Sequence, residues 1–215
     1  MSKVPTIYVL AGVNGAGKSS IGEEIFRAEG SNLFNPDTIA LKIRALHPDI
    51  SAAQANGHAW QMGRELLGQA MAEKRDYRFE TTLGGRSIAR LLQSAAREGH
   101  QVNMWFCGLE SPELHLQRVR SRVVRGGHDI PEEKIRERWN SSRENLIRLL
   151  PSLHHLRVYD NSADADPAKG QAPIPRLLLE VKTRKIIAPA DLSNAPEWAQ
   201  PIIAAAIHLH NAMEW

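Results

Sequence analysis

Ile7-Tyr8-Val9-Leu10-Ala11 runs straight into Gly12-Val13-Asn14-Gly15-Ala16-Gly17-Lys18-Ser19, and this stretch decides the fold. A short apolar run that stops at glycine reads as a buried parallel strand. Beyond the stop, the spacing G-x-x-x-x-G-K-S predicts a phosphate-binding loop that opens a helix. Glycines let successive backbone N–H groups converge on a phosphate chain, and the helix behind them adds its positive end. In this reading Gly12, Asn14, Gly15, Ala16, Gly17, Lys18, Ser19 and Ser20 hold a nucleotide. Lys18 neutralises the β and γ phosphates, and the Ser19 hydroxyl ligates magnesium. A glycine-rich turn without a ligand has the same composition, but the order of strand, loop and helix favours the phosphate site. The loop alone does not separate kinases from ATPases, GTPases or motors.

Working outward, further short apolar runs at residues 32–35, 77–80, 102–108 and 156–160 alternate with helical patterns. The patterns fall at 19–28, 38–46, 51–73, 87–97, 113–125 and 131–150. That rhythm predicts an α/β protein. Pro131 before Glu132 and Glu133 suits a helix start, because proline fixes φ and the acids meet the positive end of the helix dipole. Residues 161–175, with three prolines, read as a surface loop. Two strands at 176–181 and 184–187, turning at Lys182-Thr183, and a helix at about 196–210 complete the chain. The expectation is one domain over 1–215, its core at about 4–165.

The chain has 215 residues, 42% apolar and 24% charged, which excludes a disordered or fibrous chain. The single Cys107 closes no intramolecular disulfide and, within Met104-Trp105-Phe106-Cys107, reads as a packed thiol. The first ten residues lack the features of a signal peptide, and no apolar run is long enough to cross a bilayer. A cytoplasmic protein without a membrane partner is expected. A net charge of +3 suits an anionic ligand but does not argue for nucleic acid. The histidines, among them His154-His155 and His208-x-His210, match no metal motif and read as surface or structural.

Polar groups gather where the predicted strands end, the place where open α/β sheets hold their ligands. In Asn35-Pro36-Asp37, Asp37 is a candidate base for a substrate hydroxyl, while Asn35 or Asp37 is equally a helix cap. After Tyr77-Arg78-Phe79, Glu80, Thr81 and Thr82 are candidates for binding substrate or ordering water around magnesium; a cap and turn for the next helix is the plainer reading. No apolar strand is read as ending in the isolated aspartate of a second magnesium motif. Arg118, Arg122 and Arg125 share one helical face, which in most proteins is simply a solvated basic face. Gly126-Gly127 then reads as a hinge between two arginine-bearing arms that close over the transferred phosphoryl group.

Gly12 to Ser19, Asn35-x-Asp37, Phe79-Glu80-Thr81-Thr82-Leu83, Arg125-Gly126-Gly127-His128, Arg138-Trp139 and Tyr159-Asp160-Asn161-Ser162 together resemble the short bacterial branch of the zeta-toxin family of P-loop kinases, over roughly residues 4–165. The resemblance implies an α/β, P-loop kinase-like three-layer fold with a central, mostly parallel sheet and a helical lid, ATP and magnesium as cofactors, and transfer of a phosphoryl group to a sugar hydroxyl, with UDP-N-acetylglucosamine as the acceptor of well-known members. It implies Asp37 as base, Lys18 as the loop lysine, Arg125 and Arg138 as phosphate-binding lid arginines, and Glu80 as a substrate ligand; Thr81, Thr82 and Arg86 are further candidates for holding the substrate. It also raises an antitoxin protein as a partner. The better-known branch carries an arginine four residues after the glutamate, where this chain has Gly84 and then Arg86. The resulting expectation is an ATP-dependent kinase acting on a small hydroxylated substrate, a nucleotide sugar before others. A regulatory ATPase without an acceptor is the alternative. A polynucleotide kinase is disfavoured by the 6% aromatic content, which leaves little for stacking bases.

Overall fold

The computed structural model describes residues 3–19, 21–22, 33–163, 174–189 and 191–212. The opening apolar run forms β1 (Thr6–Ala11). Its alternate side chains face opposite ways: Ile7, Val9 and Ala11 join the main core, whereas Leu10 joins Trp105 and Cys107 on the other face. Both faces are apolar because parallel strands are covered on both sides. β2 (Tyr77–Thr81), β3 (Gln101–Gly108) and β4 (His155–Asp160) run parallel with it, and β5 (Arg176–Lys182) and β6 (Lys185–Ala188) extend the sheet antiparallel. The strand order is β2-β1-β3-β4-β5-β6. The chain leaves β1 toward β2 on one side and reaches β3 on the other, so the end of β1 is a switch point of the topology.

The helices are α1 (Pro36–Leu46), α2 (Ala52–Ala72), α3 (Arg86–Arg97), α4 (Pro112–Val124), α5 (Glu132–Leu149) and α6 (Gln200–Asn211), of which α1 packs on α2 through Ala40, Ala55 and Ala59. Their starts follow local chemistry. Ser51 and Gln54 form a reciprocal capping box at α2, and Ser111 caps α4 through the Leu114 N–H. α5 begins at Glu132 behind Pro131.

Several sequence expectations shift. Of the strand expected at 32–35, only Phe34 pairs, as a parallel bridge to Phe79, and Asn32 lies outside the described residues. The helix expected at 19–28 is described only at its start, where Lys18, Ser19, Ile21 and Gly22 are helical, and most of the loop expected at 161–175 is likewise outside. The hairpin turns one residue later than expected, at Thr183 and Arg184, both with left-handed φ (47° and 68°). Such φ pairs suit the twist of a two-residue hairpin. β4 does end in an aspartate, Asp160, but its carboxylate accepts from Ser162 and faces Arg176 at 3.5 Å. Gly126-Gly127 caps α4: Gly126, at φ 86°, donates to Val123 O and Gly127 to Arg122 O. This is the left-handed glycine ending that satisfies the last helical carbonyls, a local task the hinge reading did not contain.

Candidate active site

The parallel strands deliver their C-terminal ends to one edge of the sheet. Ala11 is in register with Thr81 of β2 and Phe106 of β3, so the phosphate loop emerges between Glu80-Thr81 on one side and Cys107-Gly108 on the other. The loop curls tightly, and Ala16 N–H donates back to Val13 O at 3.0 Å. Gly12, Gly15 and Gly17 have φ of 141°, 85° and 84°, a region costly for residues with a Cβ.

Lys18 is buried, with its ammonium 2.7 Å from Gly12 O and 3.4 Å from the Glu80 carboxylate. Glu80 in turn accepts from Asn35 Nδ2 at 2.9 Å. The other end of Asn35 settles the capping question: its Oδ1 accepts from the N–H groups of Asp37 (2.9 Å) and Thr38 (3.2 Å). Asn35 therefore caps α1 and leaves the Asp37 side chain in the first helical turn, unengaged by any hydrogen bond among the described residues.

A cavity of about 180 Å³ collects Asn14, Lys18, Asp37, Glu80, Thr81, Thr82 and Arg138. Its wall after β2 is a strained turn. Leu83 is fully buried at φ 55°, held by Asn145 Nδ2 on its carbonyl (2.8 Å) and by Thr81 Oγ1, which accepts its N–H at 3.0 Å. Arg138 crosses from α5 to donate to Asn14 Oδ1 at 2.9 Å. Burial pulls its guanidinium below the usual arginine value, an effect the Asp37 and Glu137 carboxylates offset only in part, and Asp37 lines the same cavity.

Gly12, Gly15, Ala16 and Gly17 form the loop itself, and Ser19 is exposed at the head of the following helix. Ser20 lies outside the described residues. Arg125 and Arg86 are not brought to the cavity. Arg125 is exposed at the end of α4 with Nε donating to Ser121 O at 3.2 Å, and Arg86 is exposed in the first turn of α3. Arg122 donates to His128 O. Cys107 is buried and donates to Ala16 O, and burial pushes its thiol up to about 12, which leaves no thiolate for chemistry near neutral pH.

Sequence reasoning gave no role to Asn56, Trp60, His128 and Ile130, which also line the cavity. Trp60 had a signal. It follows Ala59, a buried position of α2, and so falls off the helix's apolar face, where it is 42% exposed. His115, buried against the loop, has no local signal, because only the folded topology brings it there; Asn161, also against the loop, stands in the Tyr159-Asp160-Asn161-Ser162 motif, which gives it no role.

A phosphate loop at the switch point, a buried lysine in it, and carboxylates and an arginine converging on one cavity define the fold and site of a P-loop kinase-like protein. The chain belongs to the zeta-toxin family, which residues 1–166 match. An uncharacterized protein of Haemophilus influenzae is 29% identical over 132 residues, 60% of this chain and 88% of that one. Among solved structures, the complex of AvrRxo1-ORF1 with AvrRxo1-ORF2 aligns with a TM-score of 0.69 at 14% identity, over 95% of this chain and 70% of that chain. The same pair solved with ATP gives 0.67 at 15%, over 94% and 63%. The PezAT toxin–antitoxin system of Streptococcus pneumoniae aligns at 0.58 and 15%, over 98% and 88%. At these identities the structural likeness speaks for the fold. Among the described residues, no helix is long and apolar enough to cross a membrane.

Proposed function

We propose that the protein is an ATP-dependent kinase that phosphorylates a hydroxyl of a small substrate, a nucleotide sugar in the first place, with Asp37 as the base. The observation that carries this reading is the division of labour at the start of α1. Asn35 does the capping, and the Asp37 carboxylate is left uncommitted in a cavity shared with Lys18 and Arg138. A carboxylate kept only as a cap would hold the backbone N–H groups itself.

In the proposed reaction the acceptor oxygen attacks the γ phosphorus in line as the bond to the bridging oxygen breaks. ADP leaves, and the acceptor proton passes to Asp37. Lys18 exchanges Gly12 O and Glu80 for phosphate oxygens. Arg138 meets the charge that spreads over the transferred group. Glu80, Thr81 and Thr82 present oxygens to the acceptor. Arg125, exposed here, joins only if the end of α4 moves toward the cavity, and Arg86 serves at most at the rim.

The donor set fits magnesium: the Ser19 hydroxyl is a hard oxygen ligand, the Glu80 carboxylate could order its water, and among the described residues no group of three His, Cys, Asp or Glu is built as a protein cage. Magnesium is held in this way by one or two protein oxygens together with phosphates and water. Bound there, it would neutralise charge on the β and γ phosphates. The family membership supports an antitoxin partner. The test is incubation with magnesium, ATP and a panel of nucleotide sugars, followed by mass spectrometry. A product heavier by one phosphoryl group is expected with wild type and absent with Asp37→Asn; ATP hydrolysis without any phosphorylated product would favour a regulatory ATPase.

A further inference from the structure

Three buried side chains hold the phosphate loop from outside, and neither the loop motif nor the chemistry above uses them. His115 Nδ1 lies 2.8 Å from Asn14 O; a carbonyl only accepts, so the ring nitrogen donates. Asn161 Nδ2 and Cys107 Sγ both donate to Ala16 O, each at 2.9 Å. The contacts come from β3, from α4 directly after it and from the residue after β4, all far in the chain from the loop they hold.

Each peptide unit is planar and trans, so a carbonyl and the N–H that follows it point in opposite directions. Holding Asn14 O outward turns the Gly15 N–H toward the concave side of the loop. Holding Ala16 O outward does the same for Gly17. No described residue accepts a hydrogen bond from either N–H. His115 and Asn161 sit so close behind the loop that a Cβ at Gly15 would lie 2.8 Å from His115 O, and one at Gly17 would collide with Asn161 Nδ2.

Both side chains leave their other polar atom, His115 Nε2 and Asn161 Oδ1, buried without a partner among the described residues. An unpaired buried polar atom opposes stability, so an apolar residue of the same shape would serve a purely structural role better. We propose that His115 and Asn161 are positioning residues that preset the Gly15 and Gly17 N–H groups for phosphate, an inference that rests on the nucleotide-binding reading of the loop.

The test uses the full chain and two substitutions at one site. His115→Leu fills the volume, removes the donor and removes the unpaired nitrogen. His115→Asn places an amide nitrogen near the position of Nδ1 and so restores the donor. ATP affinity is measured by calorimetry, KM and kcat by steady-state assay, and stability by thermal melting. The Leu variant should melt at or above wild type yet bind ATP about tenfold more weakly, the worth of roughly one hydrogen bond, with KM for ATP raised in step. The Asn variant should recover to within about threefold of wild type. Unchanged ATP affinity in a folded Leu variant overturns the proposal, as does an equal loss in both variants. Should the Leu variant not fold, His115→Gln, whose longer arm carries its nitrogen away from Asn14 O, replaces it, and unchanged affinity there overturns the proposal equally. Wild-type protein that binds no ATP would instead refute the nucleotide reading, a result visible before any variant is compared.

Discussion

Gly84 is the position where one methyl group should disable the site without unfolding the protein. A Cβ built there lies 2.7 Å from Arg138 Cγ and 3.4 Å from Arg138 Cβ. Carbon atoms rest about 3.5–4.0 Å apart, so Cγ must retreat by roughly 1 Å, and Cβ is too near for a small tilt to suffice. The guanidinium lies three bonds farther out and moves farther still, which breaks its 2.9 Å bond to Asn14 Oδ1. Misplacing a positioned group by about 1 Å can cost about 10² in rate, so Gly84→Ala should lower kcat about a hundredfold and leave KM for ATP nearly unchanged. Stability should hardly move. Gly84 has no left-handed φ, so alanine gains about 0.4–1 kcal/mol by restricting the unfolded chain, against about 1–2 kcal/mol for the lost hydrogen bond. The assay is transfer to the acceptor found in the nucleotide-sugar panel, run as a cycle with Arg138→Ala. In the Arg138→Ala background the added methyl should cost nothing, a coupling of about 2.7 kcal/mol. Near wild-type turnover of the single variant, or additive losses in the cycle, would refute the argument.

Asp37→Asn should leave folding and ATP affinity intact and lower transfer by about 10²–10⁴, read by product mass spectrometry beside calorimetry; retained transfer would mean that Asp37 is not the base. Trp60→Ala, which removes an exposed ring at the cavity rim, should raise acceptor KM severalfold with little change in KM for ATP, measured by varying each substrate in turn. Acid should also weaken the fold through His115. Burial foremost, with smaller contributions from the Lys18 and Arg118 charges, pulls its ring down to about 4, while the unfolded ring titrates near the ordinary 6.5. Below pH 6.5 the unfolded chain takes up a proton that the folded chain refuses, so this contribution is complete above about 6.5 and lost as pH falls toward 4. At about 1.4 kcal/mol per pH unit the loss approaches about 3 kcal/mol. Denaturant titrations across that range should show it, and His115→Leu should flatten that portion of the acid limb.

Most of the architecture was legible because hydrophobic period and glycine punctuation are local. β1, the loop and the helices after β1 each declare themselves within a dozen residues. The hairpin turn falls one residue later than the sequence indicates, since left-handed φ at Thr183 and Arg184 is not written in residues that usually avoid it. The site was legible where a strand end carries its own polar residues, as at Asn35-Pro36-Asp37 and Glu80-Thr81-Thr82. It was not legible where two distant elements meet. Gly84, a departure from the better-known branch in sequence, is a steric fact in space, because the stem of Arg138 fills the volume a side chain would need. Of the arginines in α4 and α5, the sequence singles out Arg125 and Arg138 for phosphate, yet the members of the series divide. Arg138 reaches the cavity, Arg143 stacks on Trp139 at 3.6 Å and donates to Trp198 O, and Arg125 faces solvent. Charge spacing along a helix does not say which side chains turn inward.

The family match ends at residue 166, but the sheet does not. β4 is paired along its outer edge by β5, with Leu156 opposite Val181 and Val158 opposite Leu179, and Trp198 closes against Gly108 so tightly that a methyl there would collide with its ring. Anyone trimming the gene to the family boundary would strip that cover. The remaining β4 would present an unpaired row of N–H and C=O groups beside an uncovered apolar face, the arrangement that templates edge-to-edge association. The boundary suggested by ancestry is thus a poor place to cut for expression, and insoluble product from such a fragment would reflect an opened sheet, whatever its phosphate loop can still bind.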